Sequence, residues 1–132
     1  MTDRMRVAFV DASALIALAD RDDRAHEGAA SAYRELCDAG YRLFTTSCAV
    51  DEAYELISIG LGAALARQWL RDFRLPVYYI DETDYSRARD RLVNDPGHAT
   101  RTLTDALNIA VMERLGVRDA FAVDPNVLEE MA

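Results

Sequence analysis

No lysine occurs in the 132 residues, and all 15 basic side chains are arginine. Chemistry that needs a catalytic lysine amine is therefore excluded. Cysteine is scarce too: Cys37 and Cys48 are too few and too unpatterned for a metal knuckle or a disulfide framework, and both are expected as buried thiols. No internal repeat, low-complexity tract or linker divides the chain. No apolar run approaches the roughly 20 residues that a membrane helix needs, and the N-terminus lacks the basic-then-apolar pattern of a signal peptide. A single cytoplasmic domain over residues 1–132 is the expectation, with no membrane segment.

What is present has an ordinary globular balance, 51% apolar and 29% charged residues. The net charge of −8 argues against coating nucleic acid by bulk attraction, because such binding rests on neutralising phosphates with basic side chains. A nucleic-acid enzyme stays open, since clustered carboxylates can hold cations that reverse the local field.

Strands and helices alternate along the chain. Residues 7–11, VAFVD, read as a buried strand that ends in an aspartate, followed by a short helix over Ala12 to Ala19 and the charged DRDDR loop. Ala25 to Cys37 has helical spacing, with Gly40 as its stop, and YRLFTTS is a second strand. Helical periodicity from Val50 through Leu61 breaks at Gly60 and Gly62 before a further helix to Phe73. Pro76 introduces the strand VYYI, Thr83 to Val93 is an amphipathic helix, and NDPGHATRT is a loop by turn chemistry. Thr102 or Thr104 can cap the helix DALNIAVMERL, which Gly116 ends before a last strand, AFAV. This order predicts an α/β fold, a mostly parallel twisted sheet of about four strands with helices on both faces.

Four acids then fall at one edge of that sheet. Asp11 follows the first strand, Glu52 lies early in the helix after the second, Asp105 opens the helix before the fourth, and Asp124 follows the fourth. Ligands of open α/β sheets bind outside the carboxyl ends of the strands. Taken singly, each acid has a plain structural role as cap, turn former or solvated helix residue; their joint placement asks for more. Gathered carboxylates raise one another's pKa values, and hard cations with oxygen ligands, Mg²⁺ or Mn²⁺, relieve that strain. With only His26 and His98 available and no cysteine partner, a zinc site is not expected.

Three stretches carry a family resemblance: VAFVDASALIAL, TTSCAVDEAYELI and TLTDALNIAVMERLGVRDAFAVD. Together, in this order and spacing, they resemble the PIN-domain ribonucleases, in particular the VapC-type toxins of toxin–antitoxin pairs. The resemblance implies a PIN-like fold and metal-dependent hydrolysis of RNA phosphodiester bonds, with Mg²⁺ or Mn²⁺ as cofactor. It places the catalytic and metal-binding acids on Asp11, Glu52, Asp105 and Asp124, with Ser13 and Thr104 orienting carboxylates or water. It also implies a cognate antitoxin and a homodimer. The last motif departs from the family pattern, since Asp124 is followed by Pro125, Asn126 and Val127 rather than an aromatic, and the loop before Thr104 carries Pro96, Gly97 and His98.

Asn108 shares the helix face of Asp105 and is a candidate for contacting phosphate or an acid, or an ordinary surface residue. Asp51 is expected to face away from Glu52, and Asp81 is a strand-end acid without an assigned role. Arg67, Arg71 and Arg74, and the pair Arg87 and Arg91, read as solvated faces paired to acids such as Asp72 and Asp90, with RNA-backbone contact as the alternative; Trp69 is expected in the helical packing. A response-regulator receiver fails for want of lysine, and a haloacid-dehalogenase phosphatase fails because Ser13 stands where its second aspartate belongs. A non-catalytic alternative stays open: an inactive PIN scaffold, or a metal-dependent adhesion loop like that of von Willebrand A domains, which DASAL matches in part.

Overall fold

A computed structural model describes residues 6–95 and 101–123, so Asp124, His98 and most of the loop before Arg101 lie outside the described residues. Ten elements follow in the order β1 (Arg6–Val10), α1 (Ala12–Ala19), α2 (His26–Asp38), β2 (Tyr41–Thr46), α3 (Ser47–Leu61), α4 (Ala63–Asp72), β3 (Val77–Tyr78), α5 (Glu82–Asn94), α6 (Leu103–Leu115) and β4 (Asp119–Phe121). The four strands form one sheet in the order β3-β2-β1-β4, every pairing parallel. Ala8, Phe9 and Val10 of the inner strand β1 are buried, as expected for a parallel strand covered on both faces.

Helices lie close because small residues face the sheet. Ala12, Ala14, Leu15 and Ala17 of α1 are buried, as are Ala49, Ala53 and Ile57 of α3. With Phe9, Val10, Leu43 and Phe121 they form the main core, and Trp69 of α4 and Phe73 just after it pack against it. Burying a side chain such as Val10 or Ile57 contributes about 1.5–3 kcal/mol each. A smaller cluster of Ala88, Ala106 and Leu107 joins α5 to α6.

Several boundaries differ from the periodicity, each for a local reason. β1 ends at Val10, because Asp11 leaves the ladder to cap α1. The second strand stops at Thr46, whose hydroxyl accepts from Ala49 N at 3.1 Å and starts α3 at Ser47, three residues before the apolar pattern begins. α3 and α4 join at Gly62, whose φ of +99° would strain any residue with a Cβ. β3 has two residues instead of four, since Ile80 N donates to Ser47 Oγ at 3.0 Å and Asp81 then caps α5. β4 ends at Phe121, because Val123 N donates to Ser13 Oγ.

Asp81 is thereby placed: it forms a capping box with Asp84 at the start of α5. Asp84 is fully buried and accepts from the Tyr78 hydroxyl at 2.8 Å and from Arg114 Nη1 at 3.1 Å, and Arg114 also reaches Asp81 at 2.7 Å. Arg91 pairs with an acid as expected, but the partner is Glu113 of α6, onto which it forks with bonds of 2.8 and 2.7 Å. Arg74 turns back onto the Arg71 and Phe73 carbonyls at the end of α4. The expectation of two buried thiols is also corrected, since Cys37 is exposed and Cys48 half-buried; both are free. Among the described residues no helix is long and apolar enough to cross a membrane.

Candidate active site

The sheet reverses its order at β1: β2 and β3 succeed one another on one side, and β4 returns on the other. A crevice opens at such a switch point, outside the carboxyl ends of the strands. Asp11 occupies it, as the single residue between β1 and α1. Its Oδ2 accepts from the Ser13 backbone N at 3.1 Å and the Ser13 hydroxyl at 2.7 Å, so the aspartate both caps α1 and is held in one rotamer. The same hydroxyl accepts from Val123 N at 2.9 Å, and Asp11 N donates to the Phe121 carbonyl at 2.9 Å. Ser13 thus pins the segment just after β4 against the first acid.

Glu52 approaches from α3. Its carboxyl is raised above the ordinary glutamate range, first by burial and then by the negative charges of Asp11 and Asp105. Glu52 therefore lies within electrostatic reach of two of the other three sequence candidates, Asp11 and Asp105, and the fourth lies outside the described residues. Asp105 sits in the first turn of α6, in a capping box in which its Oδ2 accepts from Thr102 N at 3.3 Å and its own N donates to Thr102 Oγ1 at 3.1 Å. Thr102, not Thr104, is the cap; Thr104 is half-buried and makes no hydrogen bond through its side chain among the described residues. In both aspartates one carboxylate oxygen is used locally, and Oδ1 of each has no hydrogen bond among the described residues.

Asn108 is buried below this rim, 4% exposed. It is no surface residue: its Oδ1 accepts from Thr46 Oγ1 at 2.6 Å and from Cys48 Sγ at 3.1 Å. Thr46 and Cys48 escaped the sequence reading, the first counted as strand and the second as an isolated thiol. A threonine before an apolar helical run was the one available signal, and it was masked by the β-branched pair Thr45 and Thr46. Glu55 and Asp51 are exposed, and Asp51 lines a separate groove of about 410 Å³ with Val50, Leu70, Phe73 and Tyr79.

Can these residues hold a cation? Among the described residues no three His, Cys, Asp or Glu side chains converge closely enough to enclose one. The donors along this rim are all carboxylate oxygens: Asp11 and Asp105 each keep one oxygen without a hydrogen bond among the described residues, and the Glu52 carboxyl is raised in pKa by burial and then by those two charges. Such a loose, oxygen-only set suits a hard ion that keeps several of its own waters, as Mg²⁺ does. The residues fit.

The family model described as the PIN domain matches residues 8–131. This chain is a PIN domain. Among solved structures it is similar to VapC20 of Mycobacterium tuberculosis, a sarcin-ricin loop cleaving toxin, with 21% identity, a TM-score of 0.75 and 94% of each chain covered. No protein of curated function matches the sequence. Family and fold are as the motifs led us to expect: a four-stranded parallel PIN sheet flanked by six helices.

Proposed function

We propose that this PIN domain is a metal-dependent ribonuclease that hydrolyses RNA phosphodiester bonds, the toxin of a VapBC-type toxin–antitoxin pair. The observation that carries the reading is the placement of Asp11 at the sheet's switch point, its carboxylate set by Ser13, with Glu52 of α3 near enough to feel the charges of Asp11 and Asp105. Asp11, Glu52 and Asp105, with Asp124 as the fourth, would hold Mg²⁺ or Mn²⁺. A bound cation there supplies charge to stabilise the scissile phosphate and to acidify a water.

The protein's own groups do the rest. Ser13 fixes the Asp11 carboxylate, and Thr102 fixes that of Asp105, so the acids meet substrate in set rotamers. Glu52, with its carboxyl raised in pKa, is the acid best placed to take a proton from the attacking water. Thr104 flanks Asp105 and is available to orient water or phosphate, and Asn108 supports the acids from beneath.

The partners follow from the surface. Leu56, Ile59, Leu61 and Leu65 of the α3–α4 region are exposed, an apolar set that a second copy or an antitoxin would cover. A basic antitoxin tail would suit a chain of net charge −8 with acids at its crevice. A cytoplasmic homodimer, held inactive by its antitoxin, is the expected state.

The test is cleavage of a labelled total-RNA pool and of a sarcin-ricin loop oligonucleotide in Mg²⁺ or Mn²⁺. Wild type is compared with Asp11→Asn, Asp105→Asn and an EDTA control. Cleavage by wild type alone supports the reading. A wild type as inert as the variants on both substrates, yet still binding Mn²⁺, would favour a scaffold that acts through partners.

A further inference from the structure

We infer that Thr46, Cys48 and Asn108 form a positioning lock that sets the spacing of Glu52 and Asp105, the inference resting on the nuclease reading above. Cys48 precedes Glu52 by four residues on α3, and Asn108 follows Asp105 by three on α6, so each lies one helical turn from its acid on the same face. A bond between Cys48 and Asn108 therefore ties together the two turns that carry the acids. Thr46 anchors the pair to the sheet. β1 and β2 pair Phe9 with Phe44, and continuing that register by two residues sets Thr46 level with Asp11.

The distances fix how the amide is turned. At 2.6 Å the Thr46–Asn108 contact has the length of an O–H···O bond and is shorter than N–H···O bonds run. The Thr46 hydroxyl accepts from Ala49 N, so its proton goes to Asn108 Oδ1. Cys48 donates to the second lone pair of the same oxygen, which is then saturated. Two donors from α3 and its cap thus hold one acceptor on α6.

Stability does not explain this arrangement. Asn108 Nδ2 is buried with no hydrogen-bond partner among the described residues, a state that destabilises the fold. A leucine would avoid that penalty, and the Thr46 hydroxyl would still have Cys48 Sγ at 3.2 Å. Asparagine is needed here for what its Oδ1 holds in place.

Groups bonded directly to metal-binding residues typically change metal affinity ten- to hundredfold when removed; the lock touches neither acid and acts through the helical turns that carry them, so the lower end of that range applies. The test is Mn²⁺ binding to RNA-free protein, read by electron paramagnetic resonance, alongside the Mn²⁺ midpoint of RNA cleavage and thermal melts without metal. Asn108→Leu and Cys48→Val should each weaken Mn²⁺ binding by roughly tenfold while melting near wild type. Cys48→Ser, which keeps a donor, should restore the wild-type midpoint to within about threefold, the mark of a lost hydrogen bond rather than lost packing. Should Asn108→Leu fail to fold, the Cys48 pair decides. If wild type binds Mn²⁺ and cleaves RNA, and Cys48→Val matches it in both, the lock is refuted and the nuclease reading stands. If wild type binds no Mn²⁺ and cleaves nothing, the nuclease reading fails and takes the lock with it.

Discussion

Ser13→Ala removes one hydroxyl that holds two parts of the candidate site. The hydroxyl donates to Asp11 Oδ2 at 2.7 Å and accepts from Val123 N at 2.9 Å. Losing a bond to a charged acceptor costs about 1.5–3 kcal/mol. Val123 is half-buried, so water can replace part of its lost bond, and that loss is set near 1 kcal/mol. Alanine's better helix propensity at this position of α1 returns about 0.5 kcal/mol. Asp11 keeps its bond from the Ser13 backbone N, so the helix cap survives. The net is a destabilisation of about 2–3.5 kcal/mol, or roughly 8–14 °C in melting temperature for a chain of this size. Differential scanning calorimetry reads it, with Ser13→Thr as the control that keeps the hydroxyl. Cleavage of RNA should fall at least about tenfold in the alanine variant and recover in the threonine one, because a carboxylate free to rotate loses its preset geometry. An alanine variant that melts within 2 °C of wild type, by about the scale of a surface change, would refute the energetic argument. One that cleaves normally would show that Ser13 does not orient the site.

Asp84→Ala should cost about 3 kcal/mol, since it removes a cap acceptor worth about 1 kcal/mol and charge-assisted bonds worth about 1.5–3 kcal/mol at a fully buried position; urea denaturation followed by Trp69 fluorescence measures it. Asp81 has its pKa lowered to about 2 by the Asp84 backbone N–H and Arg114. Its folded value lies below the unfolded one, so the stabilisation is complete above about pH 4 and is lost as pH falls toward 2. Asp81→Asn should flatten stability over that acid interval, and an unchanged slope would remove Asp81 as its source. Glu52→Gln reverses the sign: the folded carboxyl titrates above its unfolded value, so stability falls as pH rises from the unfolded to the raised value and stays lower above it. Without metal at neutral pH the glutamine variant should be more stable by up to about 1 kcal/mol, a modest figure because the residue is exposed. Added Mg²⁺ should stabilise wild type and leave the variant unmoved; equal metal shifts in both would remove Glu52 from the ligand set.

Elements with a strong local pattern were legible in the chain. VAFV alternates with nothing polar and can only be a covered strand, and Gly62 and Gly116 mark the helix ends where φ turns positive. The common placement of Asp11 and Glu52 was legible because parallel strands carry both to the same edge of the sheet. What periodicity could not show were hydrogen bonds between residues far apart in sequence. Ile80 N meets Ser47 Oγ across 33 positions and cuts β3 short, and Arg91 meets Glu113 across 22. The Asn108 side chain looked like a surface amide on an amphipathic helix, yet α3 packs against that face of α6 and buries it. Cys37 shows the converse, a thiol type that is usually interior but here projects from the last turn of α2.

The bond from Val123 N to Ser13 Oγ joins positions 110 apart, almost the full span of the described chain. Closing so long a loop is entropically the slowest kind of contact to form, so it belongs to the late part of folding. On the ribosome, β1, α1 and β2 are complete well before β4 exists to be pinned. A half-made chain therefore carries Asp11 and Glu52 without the strand that finishes their crevice. Under the nuclease reading proposed above, the site stays unassembled until β4 has been made.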